Sequence, residues 1–172
     1  MDKDILNLLA SYNTEVNKKM NIFIKMLKEN EWEQEFKGYF NSIKSMCNHI
    51  YIGDFNWLKR FSKLRSFNYI SNDIFKKDIK FTELAFSSID EYIEKRKLLD
   101  KSITDFINEL NDEDMGLKLT YVDSRGDEYK KNFGGLIIHM FNHQTHHRGM
   151  ISLYLEEMGI ANDFSNLNSI LP

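Results

Sequence analysis

The chain has 172 residues, a length suited to one domain with a sizeable core. Its hydrophobic content of 42% and charged content of 28% are those of a globular protein, and a net charge of −3 with scattered lysines argues against a nucleic-acid binder. One Pro and 8 Gly are few punctuators for a strand-rich fold, and no apolar run approaches the ~20 residues of a membrane helix.

Periodicity divides the chain into four long helical segments. The first spans residues 2–28, with Ile5, Leu8, Leu9, Tyr12, Val16, Met20, Phe23 and Leu27 at helical spacing. The second spans 39–64, where Phe40, Ile43, Cys47, Ile50, Asp54, Trp57, Phe61 and Leu64 form a stripe interrupted by one acid. The third spans 81–110, with Thr82 as its expected N-cap. The period then changes to alternation in "LKLTYVDSRGDEYKKNF", which predicts a short β-hairpin turning near Gly126. The last helix spans 132–158 and should stop at Gly159. With no repeat or linker, residues 1–172 read as one all-α domain: a four-helix bundle with a small hairpin between its third and fourth helices.

Four of the five histidines fall in the last helix, in "LIIHMFNHQTHHRGM". At ~100° per residue, with Leu136 at zero, His143 and His147 fall near −20° and +20°, within the stripe of Leu136, Met140, Ile151, Tyr154 and Met158. His139 and His146 fall near −60° and −80°, on one flank. Two imidazoles one turn apart can reach one metal ion, as in zinc helices of HxxxH spacing. They can equally be core histidines satisfied by carbonyls or carboxylates, since burying polar rings demands partners. Gln144 and Arg148 adjoin the cluster and fit plain surface positions. His49, on the second helix, lies far from the centre of its stripe, and angles alone leave its direction open. Cys47 sits on the apolar stripe, where a free cysteine packs rather than reacts. That lone cysteine, together with a start that lacks the pattern of a signal peptide, fits a cytoplasmic protein.

"NHQTHHRGM", preceded by the hairpin and followed by "ISLYLEEMGI", resembles the DinB family motif N-H-x-T-H-H-R-G-Q. The segment "SIKSMCNHIYIGDFNWLKRF" agrees, with His49, Asp54, Trp57 and Arg60 at the family's positions. The resemblance implies a bundle of up-down-down-up type, frequently dimeric, holding a divalent metal with His49, His143 and His147. Met150 stands where the family usually has Gln. Three imidazoles leave the fourth position of a zinc-type site open, the arrangement of reactive rather than structural centres. The resemblance also implies a metal-dependent enzyme, of thiol S-transferase or hydrolase type, using Zn or Ni. Its partners would then be a low-molecular-weight thiol and an electrophilic small molecule, with Asp54, Trp57, His146 and Tyr154 shaping the pocket. The alternative is a non-enzymatic stress-response protein whose metal is structural or sensory. A deep pocket at the histidines would favour the first reading, and a large apolar patch elsewhere the second.

Overall fold

The computed structural model describes residues 2–171. The first helix, α1 (Lys3–Met26), starts where the Asp2 side chain accepts a hydrogen bond from the Asp4 backbone N–H. It buries Leu6, Ala10, Val16, Met20 and Ile24 along one face. A single turn that the periodicity did not announce, α2 (Glu29–Trp32), follows and places Trp32 against Phe86 and Tyr92.

The second long helix, α3 (Ile43–Phe61), is shorter than the predicted 39–64. Ser42 and Ser45 cap it reciprocally, each side chain accepting from the other's backbone N–H. Residues 36–41 close instead into a turn in which the Phe36 N–H donates to the Asn41 carbonyl at 2.7 Å. Phe40 therefore leaves the helical stripe, and its new position matters at the site below.

The third long helix, α4 (Ile89–Glu109), begins eight residues later than expected, with Ser88 rather than Thr82 as its N-cap. The reason lies on α3. Buried Asn48 donates to the Glu83 carbonyl and accepts from the Ala85 N–H. Those bonds hold residues 83–85 against α3 as a strap and offer the backbone an alternative to helix. Between the two helices the chain makes short 3₁₀ turns at Tyr69–Ser71 and Asp73–Phe75.

The hairpin is present as β1 (Lys118–Val122) and β2 (Glu128–Asn132), antiparallel, with Tyr121 opposite Tyr129. The last helix, α5 (Phe133–Glu157), is capped by Asn132, whose side chain accepts from the Gly135 N–H at 2.8 Å. It ends at Gly159, whose φ of 79° suits a residue without a Cβ. There the N–H groups of Gly159 and Ile160 return to the carbonyls of Glu156 and Leu155, satisfying the helix end.

The molecule is thus mostly helical, with one small two-stranded sheet. Along their lengths α1 packs on α4, while α3 packs on both α5 and α4. At the hairpin end, Phe61 stacks on Phe106 and Phe133 meets both edge-on, at centroid distances of 5.2–6.2 Å, which fixes where α3 meets α5. No helix of the described residues is long and apolar enough to cross a membrane.

Candidate metal centre

The α3–α5 contact brings His49 to His143 and His147. His49 Nε2 lies 2.9 Å from His143 Nε2 and 3.1 Å from His147 Nε2. Two nitrogens ~2.0–2.1 Å from a tetrahedral ion would stand about 3.3 Å apart, so the observed spacing is close to that of a shared ligand set. The three nitrogen donors all lie within 4.8 Å of one another.

Proton bookkeeping in this trio is unfavourable. His49 Nε2 faces two other Nε2 atoms and has one N–H or one lone pair to give. The Nδ1 atoms of His143 and His147 are buried and, among the described residues, have no hydrogen-bond partner. His49 can make a linear hydrogen bond to only one of the other two Nε2 atoms, whereas a central cation would take all three Nε2 lone pairs, the Nδ1 atoms of His143 and His147 lacking a partner in either case. Burial, reinforced by the neighbouring imidazoles, lowers the His143 pKa to about 3 and the His147 pKa to about 4. His49 is lowered by burial as well. All three are neutral near pH 7, the state that ligates.

Local structure shapes this cluster. Gly53 lies one turn after His49, where an added Cβ would stand 3.1 Å from His143 Cε1, so glycine makes room for that ring. Phe40 stacks on His49 at 4.1 Å and meets His147 edge-on at 5.6 Å. The loop carrying Phe40 is pinned by Tyr154, whose O–H donates to the Phe40 carbonyl at 2.8 Å and whose ring stacks on Phe36 at 4.3 Å. At Gly38 a Cβ would collide with that hydroxyl at 2.4 Å. Neither Phe40 nor Gly38 was visible as a site residue, because the apolar period carried Phe40 into the helix.

The other candidates separate. His146 is exposed with its ring 4.9 Å from His147, and His139 is exposed with its ring 6.3 Å from His143. Trp57 is half-buried beside His139. Asp54 turns to the opposite side of α3, where it accepts from Arg96 at 2.6 Å and no hydrogen bond or ion pair links it to the histidines. Met150 is half-buried and packs on the core.

Gln144 and Arg148 are buried, not surface. The buried arc of α5 runs from Leu136 and Tyr154 near 0° round to Phe141 near 140°, wider than the apolar stripe alone suggests. His143 and His147 consequently sit at the edge of that arc, facing α3. Arg148 and Gln144 face α1, and Arg148 donates to the Asn13 side chain at 2.6 Å. Asn13 and Asn17 donate to Asp100, which pairs with Arg96, so a polar network runs through the interior. Cys47 is fully buried, and burial pushes its thiol up to about 12, far from a nucleophile's range.

A family model described as the DinB family matches residues 1–167. The chain belongs to the DinB family. It is also 24% identical over 163 residues to Protein DinB of Bacillus subtilis (strain 168), across 89% of this chain and 86% of that relative. In this DinB-family chain the nitrogens of His49, His143 and His147 meet, while the motif residues Asp54 and His146 stand apart from them.

Proposed function

We propose that this protein binds a divalent metal through Nε2 of His49, His143 and His147, and that it is a metal-dependent enzyme of thiol S-transferase or hydrolase type. The convergence of three neutral imidazoles from two helices is the observation that carries the metal site. Zn or Ni suits such an all-imidazole set. When bound, the metal would lower the pKa of a coordinated water or thiol, or polarise a carbonyl. The chain would leave one coordination position for that ligand, with Phe40 screening the His49 side and the exposed His139 and His146 marking the way in. The reaction partners in this reading are a low-molecular-weight thiol and an electrophilic small molecule. The four long helices form an up-down-down-up bundle, and the protein acts in the cytoplasm.

A second reading keeps the metal as a structural or sensory element of a non-enzymatic stress-response protein. It is favoured by a groove of about 1110 Å³ between α1 and α4, which none of the three histidines lines. Ile22 and Met26 stand exposed along it. A second copy covering that apolar groove would make a homodimer. Metal analysis of untagged protein tests the shared part of both readings: about one ion per chain is expected, and a metal-free protein that takes up neither Zn²⁺ nor Ni²⁺ would overturn it. Screening the loaded protein with several low-molecular-weight thiols against a generic electrophile then separates enzyme from non-enzyme.

A further inference from the structure

From the histidine cluster a line of rings runs along the α3–α5 seam towards the hairpin. His143 is followed by His139 at 6.3 Å, His139 by Trp57 at 5.3 Å, and Trp57 by Tyr121 of β1 at 5.3 Å. At the far end the Arg60 guanidinium lies 4.9 Å from the Trp57 ring centroid and 5.4 Å from that of Tyr121. Arg60 is half-buried, and among the described residues its side chain makes no hydrogen bond and no ion pair. Every other arginine of the chain has a polar side-chain partner: Arg65 pairs with Asp114, Arg96 with Asp54 and Asp100, Arg125 with Asp123, and Arg148 bonds Asn13. Asp123, the acid whose charge Arg60 feels, is occupied by its own turn, accepting from the backbone N–H groups of Arg125 and Asp127.

A partly desolvated guanidinium resting against two aromatic rings that meet edge-on, and making no hydrogen bond among the described residues, is an anion site built from the protein side. We propose that Arg60 and the ledge of Trp57 and Tyr121 bind the anionic end of an elongated organic ligand whose other end lies at the histidine cluster. Arg60 is two turns beyond Gly53, the residue level with His143, so the two anchoring points are about 10 Å apart along α3. The ligand class is therefore a small organic acid or phosphate ester long enough to span that distance, with its apolar middle lying against the rings. The inference deepens the reading of the histidines as a substrate site and rests on it for the ligand's reactive end. The anion contact itself needs no metal.

The test uses chelator-treated full-length protein titrated with phenyl phosphate, with benzoate, and with benzyl alcohol as an uncharged match, followed by NMR. The indole N–H of Trp57 and the Nε–H of Arg60 are expected to shift saturably with the anions and not with benzyl alcohol, while the buried Trp32 stays unmoved. Comparing the two anions tells whether a phosphate or a carboxylate is preferred. Arg60→Gln should weaken binding about tenfold to a hundredfold, and Arg60→Lys should keep part of it, having the charge without the planar fork. Equal binding by Arg60→Gln or Arg60→Lys and the unaltered protein, or no saturable shift with either anion, overturns the proposal. Because the titration is made without metal, such a failure leaves the three-histidine reading standing, and loss of metal binding would leave the ledge standing.

Discussion

Two polar clusters sit between the helices of this protein, and they are built on opposite principles. The Asp54–Arg96–Asp100 cluster between α3 and α4 is closed: opposite charges meet at 2.6 and 2.7 Å, and all three residues are buried. The histidine cluster between α3 and α5 is open: three neutral rings point equivalent nitrogens at one another, at the edge of a buried arc. The first holds its own countercharges, although Asp54 Oδ1 and Arg96 Nε are buried without a hydrogen-bond partner among the described residues. The second holds none, and in the proposed reading a metal supplies it from outside. Burial raises the Asp54 pKa, to about 7, and lowers those of the histidines, so in both places the low dielectric opposes charge. Only the closed cluster contains countercharges that answer it.

The largest effect of a single substitution is expected in the closed cluster. Arg96→Leu leaves Asp54 and Asp100 buried without their guanidinium, and removing one partner of a buried pair destabilises by about 3–5 kcal/mol. Denaturant melts read this directly, and a loss under ~1 kcal/mol, the scale of an exposed pair, would mean that the network is solvated in solution.

Chelation should come next. Metal bound only by the folded state contributes ~2.7 kcal/mol at a free concentration one hundred times its dissociation constant. Protein first verified to contain metal should melt lower after chelator treatment, and His143→Ala or His147→Ala should abolish both stoichiometric metal and the chelator effect. Coincident melts before and after metal removal would show that the cluster needs no outside partner.

The pH dependence of the metal-free protein sharpens the contrast further. An unfolded histidine titrates near 6.5, whereas His143 and His147 in the fold titrate at about 3 and 4. Between those values the unfolded chain binds more protons at these rings, so their contribution to stability is full above pH ~6.5 and falls as pH drops towards the folded values. Asp54, raised to about 7, contributes in the opposite direction, so the histidine part is read as the difference from the His143→Ala and His147→Ala variants. Metal release moves in the same direction, because protonated imidazole cannot ligate. A melting temperature that is flat from pH 7 to 5, with His143→Ala and His147→Ala giving the same profile, would contradict the burial of these rings.

The smallest effect belongs to the outer histidines. His139→Ala and His146→Ala should retain stoichiometric metal, with affinity weakened by no more than the 10–100-fold typical of groups that orient ligands. A metal-free His146→Ala protein beside a loaded His147→Ala would reverse the assignment.

Much of α5 could be read directly from the chain, because one helix obeys one period. Its start near residue 132, its stop at Gly159 and the division of His143 and His147 from His139 and His146 all follow from spacing, while the Asn132 cap is seen only in the fold. The α3 and α4 boundaries were less legible. Phe40 keeps the apolar period of α3 yet folds back over His49, and Asn48 pulls residues 83–85 out of helix from 35 and 37 positions away in sequence. Period and local capping contain no record of such distant hydrogen bonds.

The amino-acid order by itself determined a mostly helical chain, a hairpin between two of its long helices, and the identity of the imidazoles that share a face. Tertiary structure decided the rest. It turned His49 towards α5 and Asp54 towards α4, although both stand on the same helix within two turns. It also placed Gln144 and Arg148 inside by setting α1 against a flank of α5 that looks polar in sequence. The physical reason is that helical periodicity fixes angles within one element, whereas the rotation of one element against its neighbours is settled only when all their side chains pack at once.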